Sequence, residues 1–413
     1  MRSEDYIDLR EIPRAVSNRL DESPGERAIR EGRVGVITLA AGVGSRWTNG
    51  AGVVKGLHPF CKFQGNHRSF VEVHLAKTRK TCADYNTEVP HIFTTGYLTH
   101  RPIEQFLKTQ LQVGPDAHIY LSRGMSVGLR TIPTVRDMIF HWQETPHQIL
   151  DDQQQKVRES AQAAIQEWAK STGEGSDYTD NLPEQCMHPV GHWYEFPNML
   201  RNGTLHKVLN DHPRLKYLLL HNIDTVGTCL DPICLTAHIQ SGTCLSFEVI
   251  GRKIEDRGGG LARVDGRVRL LEGMAMPTEK DEFKLTFYNT MSTWIDIDQL
   301  LVVFGLDRSS IDPSNPEQAD RIDRAVRAVA SKLPTYLTIK DVKKRWGLGQ
   351  EDVFPVMQFE KLWGDMTSLA EVQCRFLAVE SQRGQQLKDP AQLDGWLRDG
   401  SADYVDRLCL WDP

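Results

Sequence analysis

Short apolar runs alternate with amphipathic segments along most of the chain. The apolar runs are rich in β-branched residues and end at glycine or polar residues, which is typical of buried strands. They predict strands over 34–40, 91–95, 118–122, 216–221, 244–251, 260–264 and 268–272. Helical periodicity predicts helices over 67–82, 99–111, 134–144, 152–170, 231–241 and 316–332. Strands that alternate with helices favour an α/β fold with a mostly parallel sheet. Asp265-Gly266 predicts a tight turn that adds an antiparallel hairpin, so the sheet is expected to be mixed.

Changes in composition suggest three regions. Residues 1–31 are charged and are interpreted as an N-terminal arm. Residues 32–315 contain most of the predicted strands and form the expected main domain, with a polar insertion at about 145–190. Residues 316–413 follow a stretch punctuated by proline and asparagine, and the part after the helix predicted over 316–332 is too short for a second large domain. We expect residues 316–413 to complete the functional site and to form a short tail.

Composition and charge exclude several classes of protein. The chain has 413 residues, 40% hydrophobic and 25% charged, with a formal net charge of −6, which is typical of a soluble globular protein. A mild acidic excess argues against general binding to nucleic acid or to anionic membranes. No apolar run approaches a membrane span, and the first residues lack a secretory signal. The 8 cysteines are dispersed without a C-x-x-C pair, which favours a reducing, cytoplasmic location. The oligomeric state is left open.

A glycine-containing loop follows the first long strand. It reads Ala41-Gly42-Val43-Gly44-Ser45-Arg46, and its small residues would let backbone N–H groups approach an anion. Trp47 stands where a dinucleotide fingerprint needs a third glycine, and no Gly-Lys-Ser/Thr of a P-loop is present. The loop, with Arg46 and the later Lys55, suits a triphosphate. A plain tight turn after a strand is the alternative.

A carboxylate ends the strand predicted over 216–221. In an open parallel sheet, ligands bind beyond the carboxyl ends of the strands, and Asp224 lies there. Mg²⁺ usually takes one or two carboxylates together with substrate phosphates. Asp224 is therefore a candidate Mg²⁺ ligand, with a turn-forming aspartate as the alternative.

The glycine loop resembles the L-x-x-G-x-G-T-R-x-G-x-x-x-P-K signature of sugar-1-phosphate nucleotidyltransferases. The resemblance implies that Ala41, Gly42, Gly44 and Ser45 bind the nucleotide and that Arg46 and Lys55 contact phosphates. Ser45 keeps the hydroxyl of the family threonine, whereas Val54 stands in place of the proline, and the loop is two residues longer than usual.

Further segments resemble UDP-glucose pyrophosphorylases in collinear order over roughly 34–379. Residues 189–194 resemble P-x-G-H-G-D-x-Y, which implies that Gly191 and His192 pack at the nucleobase, although Trp193 replaces a glycine. Residues 222–231 resemble N-x-D-N-L-G-A-x-x-D, with Asp224 as the implied metal ligand and Thr225 in place of the second asparagine.

Segments later in the chain carry the implied sugar and phosphate sites. Segments 258–261, 266–272 and 287–295 imply a sugar pocket formed by Gly259, Glu272 and Asn289. Segment 333–340 resembles L-P-x-E-I-I-V-N-P-K and leaves Lys340 and Lys343 as alternative phosphate-binding lysines. Residues 375–379 resemble the first five positions of R-F-L-P-V-K.

The resemblance to the eukaryotic-type UDP-sugar pyrophosphorylases implies a fold and a reaction. The fold is of the nucleotide-diphospho-sugar transferase type, Rossmann-like and GT-A-like, with a small C-terminal extension. The implied reaction is Mg²⁺-assisted uridylyl transfer, in which UTP and a sugar 1-phosphate give a UDP-sugar and pyrophosphate. No nucleic-acid or membrane partner is expected, and the sugar is left open.

Two other functions remain possible from the sequence. The first is a glycosyltransferase, because Asp296-Ile297-Asp298 is a literal D-x-D metal motif. Asp298 precedes an apolar run, however, and is better interpreted as the N-cap of a helix. The second is a non-catalytic protein that binds sugar nucleotides, which the departures at Val54, Trp193 and Thr225 would permit.

Overall fold

The computed structural model describes residues 5–13, 23–42, 44, 47, 54–112, 114, 118–128, 130–133, 187–346 and 350–411. The helices predicted over 134–144 and 152–170, and nearly all of the insertion at 145–190, lie outside these residues. The chain divides into two compact units. The first comprises 1–123, 195–334 and 362–413, and the second comprises 124–194 and 335–361.

Fifteen strands are formed by the described residues. They are β1 (Tyr6–Asp8), β2 (Val34–Leu39), β3 (Pro59–Phe63), β4 (Asn66–Ser69), β5 (His91–Thr95), β6 (Ile119–Arg123), β7 (Thr131–Pro133), β8 (Tyr217–Asn222), β9 (Leu245–Gly251), β10 (Gly260–Val264), β11 (Arg267–Leu271), β12 (Phe287–Asp296), β13 (Tyr336–Trp346), β14 (Gln350–Glu360) and β15 (Cys374–Ala378). The helices are Pro24–Arg30, Phe70–Tyr85, His100–Thr109, Glu195–Arg201, Thr204–Asp211, Pro232–Ser241, Ile297–Val303, Pro316–Lys332, Ser381–Gly384, Gln392–Arg398 and Ser401–Arg407.

The first unit is built on a mixed sheet of ten strands. Its path runs β1-β10-β12-β8-β2-β5-β6, with β11 added to β10 and the pair β9-β15 added to β12. Strands β6, β5, β2 and β8 are parallel neighbours, and β9 and β15 are parallel to each other. The antiparallel pairs involve β1, β10, β11 and β12. The predicted α/β fold with a mixed sheet is confirmed.

The predicted strands and helices match the structure where local chemistry fixes their ends. The hairpin turn at Asp265-Gly266 forms as expected, with positive φ values of 50° and 78° that suit a two-residue turn. The helix expected over 67–82 begins later, at Phe70, because Ser69 and Glu72 form a capping box that fixes its first turn. The preceding residues pair as β4 with β3.

The core of the first unit lies on both faces of the parallel strands. Every residue of β2 is buried, as are the apolar residues of β8, so these strands lie at the centre of the sheet. Among the described residues, no helix combines the length and the apolar character that crossing a bilayer requires.

The second unit contains a three-stranded antiparallel sheet in the order β13-β14-β7. The long hairpin of β13 and β14 is paired from Tyr336↔Glu360 to Trp346↔Gln350. A parallel bridge joins Val190 to Glu360.

Candidate functional site

Strands β2 and β8 lie at the centre of the sheet and end side by side. Asp224 follows the end of β8. Strands β2 and β8 are parallel, with Leu39 opposite Asn222, and the Ile223 N–H donates to the Leu39 carbonyl at 3.1 Å. Asp224 and the loop that begins at Ala41 therefore leave the same edge of the sheet. The carboxyl edge of parallel strands is where α/β proteins bind ligands.

Two glycines of the loop differ in what surrounds them. Gly44 has a φ of +72°, and a Cβ there would lie 2.3 Å from Lys55 Cβ, so a larger residue would displace the lysine. A Cβ at Gly42 would meet no atom of the described residues within 4 Å. Ala41 contacts the end of β5, since a Cβ at Gly96 would lie 2.8 Å from the Ala41 carbonyl oxygen. Ser45 and Arg46 lie outside the described residues.

Lys55 is buried beside Asp224. Its Nζ lies 2.7 Å from Asp224 Oδ2 and donates to the Leu387 carbonyl at 2.8 Å. The same ammonium lies 5.7 Å from the ring centroid of Trp47 and 5.4 Å from that of Phe70, distances at which cation–π attraction contributes. Lys55 and Asp224, two of the predicted site residues, are therefore in direct contact in the structure.

Trp47, whose side chain excluded a dinucleotide fingerprint, fixes the end of the loop. Its indole Nε1 donates to the Leu387 carbonyl at 3.0 Å, so this carbonyl accepts from both Trp47 and Lys55. The ring packs edge-on against Phe70 at 5.2 Å. The loop is thereby tied to a segment close to the end of the described chain.

Asp224 has one carboxylate oxygen in an ion pair and one without a hydrogen-bond partner. Oδ2 is bound by Lys55, whereas Oδ1 is buried and has no partner among the described residues. A buried orphan carboxylate oxygen is costly unless another group satisfies it, and a divalent cation with substrate phosphates would do so. The donor set therefore fits Mg²⁺. The Asp224 carbonyl accepts from the Leu387 N–H at 2.9 Å, which fixes the turn.

The three residues assigned to a sugar pocket lie together in the first unit. The Asn289 N–H donates to the Gly259 carbonyl at 3.1 Å. A Cβ at Gly259 would lie 2.7 Å from Glu272 Oε2, so glycine is needed there. Burial raises the pKa of Glu272 to about 7, while nearby Lys388 and a hydrogen bond with Asn289 oppose that rise. Glu272 Oε1 is buried without a partner among the described residues, which leaves it available to a hydroxyl donor.

Lys388 is a cation that the sequence analysis missed. Its Nζ donates to the Arg257 carbonyl at 2.7 Å and lies 5.3 Å from the ring centroid of Tyr288. Burial lowers the pKa of Lys388, but Tyr288, Asp224 and Glu272 together raise it above its ordinary value. Lys388 is thus electrostatically coupled to the carboxylate of the expected metal site and to that of the expected sugar pocket.

The motif comparison gave no signal for Lys388. The sixth residue of R-F-L-P-V-K is a lysine, and this chain has Glu380 there. Lys388 follows eight positions later, beyond the segments that resemble the family. Its position depends on contacts distant in sequence, which no local pattern reveals.

A buried ion pair holds the segment that carries Leu387 and Lys388. Arg383 Nη2 and Nε lie 2.7 and 2.8 Å from the two carboxylate oxygens of Glu248, on β9. Glu248 also accepts from the Trp294 indole at 2.8 Å. Three residues after Arg383, the Gln386 side-chain amide donates to the Thr290 carbonyl at 2.9 Å. Residues 383–387 are therefore fixed against the sheet.

The remaining predicted site residues belong to the second unit. Gly191 has a φ of +83°, and a Cβ there would lie 2.3 Å from the Lys361 carbonyl oxygen. The fully buried Trp193 donates its N–H to the same carbonyl at 3.1 Å, so the residue that replaces the family glycine is accommodated. His192 lies between them in sequence. Lys340 and Lys343 are on β13, opposite Val356 and Val353 of β14 in the register of the hairpin.

The D-x-D segment has a structural role. Asp296 is the N-cap of the helix Ile297–Val303, and its carboxylate accepts from the Gln299 N–H at 3.1 Å. The prediction that Asp298 is the cap was wrong, because the helix starts two residues earlier. Asp298 instead pairs with Arg308 at 2.6 Å. Both carboxylates are engaged in the protein's own structure, which weakens the glycosyltransferase alternative.

Comparison with known proteins identifies similar sequences and folds. The family model for UTP–glucose-1-phosphate uridylyltransferase matches residues 140–383. A UTP–glucose-1-phosphate uridylyltransferase of Saccharomyces cerevisiae is 31% identical over 121 residues, which cover 28% of this chain and 24% of that protein. The match thus spans about a quarter of the length of the curated relative.

Two solved structures from Trypanosoma brucei share the fold. The crystal structure of a UDP-glucose phosphorylase has a TM-score of 0.61 and 16% identity, covering 94% of this chain and 69% of that one. A UDP-N-acetylglucosamine pyrophosphorylase in complex with an inhibitor has a TM-score of 0.59 and 15% identity, covering 94% and 67%. These likenesses confirm the predicted fold class.

Proposed function

Because the chain belongs to the UTP–glucose-1-phosphate uridylyltransferase family, we propose that it forms a UDP-sugar and pyrophosphate from UTP and a sugar 1-phosphate. Membership confirms the family resemblance seen in the sequence. The observation that carries the proposal is the Lys55–Asp224 pair at 2.7 Å, at the edge of the sheet from which the glycine loop leaves.

Charge neutralisation and positioning supply most of the catalysis in such a transfer. The anionic sugar phosphate attacks the α-phosphorus in line with the departing pyrophosphate. The bond to the α-phosphorus forms as the bond to the pyrophosphate oxygen breaks, and no general base is needed. Lys55, in the first unit, and Arg46 are both proposed to contact the phosphates.

Asp224 is proposed to hold Mg²⁺, which neutralises phosphate charge when bound. The orphaned Oδ1 supports this assignment, since Lys55 occupies only Oδ2. Gly42 and Gly44 are proposed to let backbone N–H groups approach the nucleotide. Gly191 and His192 are proposed for the nucleobase, and Lys340 or Lys343 for the phosphate of the second substrate.

The sugar is proposed to bind at Gly259, Glu272 and Asn289. The unpartnered Glu272 Oε1 can accept from a sugar hydroxyl, and an ordered amide and carboxylate discriminate hydroxyl positions. Glucose is the first candidate because of the family, with galactose and N-acetylglucosamine as the alternatives to be tested.

The experiment is a pyrophosphate-release assay over a matrix of nucleoside triphosphates and sugar 1-phosphates. We expect release with UTP and one sugar phosphate, dependent on added Mg²⁺. The reverse reaction, UDP-sugar with pyrophosphate, must give UTP, which a glycosyltransferase would not produce. Tight UTP binding without turnover across the whole matrix would contradict the proposal and favour a non-catalytic protein.

A further inference from the structure

One carboxylate and two imidazoles form a cluster at the opposite edge of the sheet from Asp224. Glu88 precedes β5, His118 precedes β6, and His212 directly follows the helix Thr204–Asp211. One ligand atom from each of the three side chains lies within 4.8 Å of the other two. Strands β5 and β6 are parallel, so residues that precede them lie at the amino edge. The cluster is therefore separate from the catalytic edge.

The backbone holds both histidines firmly. The His118 carbonyl accepts from the His91 N–H at 2.9 Å, which ties it to the start of β5. The His212 N–H donates to the Val208 carbonyl at 2.8 Å, and its own carbonyl accepts from Leu215 at 3.0 Å. The two imidazole rings lie edge to face with centroids 4.9 Å apart. These backbone hydrogen bonds hold the two histidines in place before any ligand binds.

His212, one of the three members of the cluster, has an unsatisfied ring nitrogen. The residue is only 9% exposed, and its Nε2 is buried without a hydrogen-bond partner among the described residues. A buried imidazole nitrogen without a partner is costly. Burial, followed by neighbouring His118, lowers the pKa of His212, whereas Glu88 and Asp211 raise it.

The spacing of the other two groups suits a tetrahedral cation. His118 Nε2 lies 3.2 Å from Glu88 Oε2. Ligands bound at about 2.0–2.1 Å in a tetrahedral site are separated by about 3.3 Å. Two histidines and one carboxylate are a donor set that favours Zn²⁺ over the hard cation expected at Asp224.

We propose that Glu88, His118 and His212 bind one Zn²⁺ ion. The ion joins the loops before β5 and β6 to the segment that follows the helix Thr204–Asp211, at the amino edge of the sheet. The site is independent of the proposed catalytic function, because none of its ligands belongs to the catalytic edge. Its effect is on stability, since a metal that binds only the folded chain raises the melting temperature.

The test uses the full chain after removal of metal with a chelator. Zn²⁺ titration by calorimetry is expected to show one site, and Co²⁺ substitution should give the visible absorption of a four-coordinate centre. Glu88→Gln, at an exposed carboxylate, and His118→Asn, which keeps a residue tolerant of the left-handed φ of 52°, should each weaken Zn²⁺ affinity at least about 10-fold. The rise in melting temperature with Zn²⁺ should disappear in both variants.

His206→Gln is the matched control, because His206 lies on the helix Thr204–Asp211 that precedes His212. This variant should bind Zn²⁺ as the wild type does. If Glu88→Gln and His118→Asn both bind Zn²⁺ with wild-type affinity, or if the wild type binds none, the proposal is wrong. Neither outcome is measured by uridylyl transfer activity. The Zn²⁺ proposal and the proposed function can therefore fail independently of each other.

Discussion

The ammonium of Lys55 and the carboxylate of Asp224 are joined across 169 residues of sequence at 2.7 Å. Their side chains are only 7% and 14% exposed, so this is an ion pair of the interior. The pair uses Oδ2 of Asp224 alone and leaves Oδ1 without a donor among the described residues. One carboxylate can therefore hold the lysine proposed to contact the phosphates and still offer an oxygen to a cation.

Asp224→Asn should lower the rate of pyrophosphate release by about 100-fold or more, since loss of one such electrostatic contact typically costs about 3 kcal/mol in the barrier. The amide keeps the shape of the side chain and removes its charge. The measurement is the steady-state rate as a function of Mg²⁺ concentration, and the half-saturating concentration should rise. Asp298→Asn, which only affects the pair with Arg308, is the control. Wild-type kinetics for Asp224→Asn would show that Asp224 is not a Mg²⁺ ligand.

Lys388→Met should lower kcat/KM for the sugar 1-phosphate by about 100-fold, because a cation beside Asp224 and Glu272 would be lost. Lys388→Arg should recover part of this loss by keeping the charge. The variants are compared by initial rates at fixed UTP and varied sugar phosphate. Lys284→Met removes an exposed lysine paired with Asp281 and should leave the kinetics unchanged. Unaltered kinetics in Lys388→Met would show that this lysine only binds the Arg257 carbonyl.

The folded protein should lose stability as the pH falls below about 6.5, and His91 should contribute to that loss. Burial, with Lys77 nearby, lowers the pKa of His91 to about 3. Between these two pH values the unfolded chain binds a proton at this position and the folded chain does not, so stability decreases as the pH falls. His91→Gln should reduce the slope of the free energy of unfolding against pH by up to about 1.4 kcal/mol per pH unit.

Urea denaturation at pH 5 to 7 measures this slope. His67→Gln, in the exposed part of the β3–β4 hairpin, is the control for loss of a histidine. An identical pH dependence in wild type and His91→Gln would show that folding does not lower the pKa of His91.

Arg383→Met should destabilise the protein by about 3–5 kcal/mol, because it leaves the buried Glu248 carboxylate without its cation. Adding Glu248→Gln should recover part of the loss, since the amide is neutral and still accepts from the Trp294 indole. The free energies of unfolding of the two single variants and the double variant form a double-mutant cycle. Lys253→Met breaks a pair with Asp399 that is more than one third exposed, and it should cost less than about 1 kcal/mol. A double variant no more stable than Arg383→Met would contradict this account.

Local patterns predicted the parts of the fold that local chemistry determines. Strand β2 is mostly apolar and begins just after a glycine, and the helix Pro316–Lys332 has both an asparagine cap and a proline in its first turn, so both could be predicted from the sequence. The carboxyl edge followed from parallel pairing, and in the structure Asp224 lies just beyond β8, whose end is next to that of β2.

Strand β12 shows what local patterns could not reveal. Its buried Thr290, Ser292 and Thr293 make the segment look polar, yet each is fully buried. Thr290 donates to the Glu248 carbonyl at 2.7 Å, and the Ser292 hydroxyl bonds to that of Thr228 at the same distance. These partners are distant in sequence, so neither hydrophobic periodicity nor propensity identifies a central strand. Lys388 was missed for the same reason, because its contacts are also distant in sequence.

The shared carbonyl of Leu387 has a consequence for how the protein is made on the ribosome. This oxygen is 332 residues downstream of the lysine and 340 downstream of the tryptophan that donate to it. At about 5–20 residues per second, translation takes roughly 15 to 70 s to cover that interval. During that time neither Lys55 nor Trp47 of a nascent chain can bond to its final partner, so this part of the proposed nucleotide site forms only after Leu387 has been synthesised.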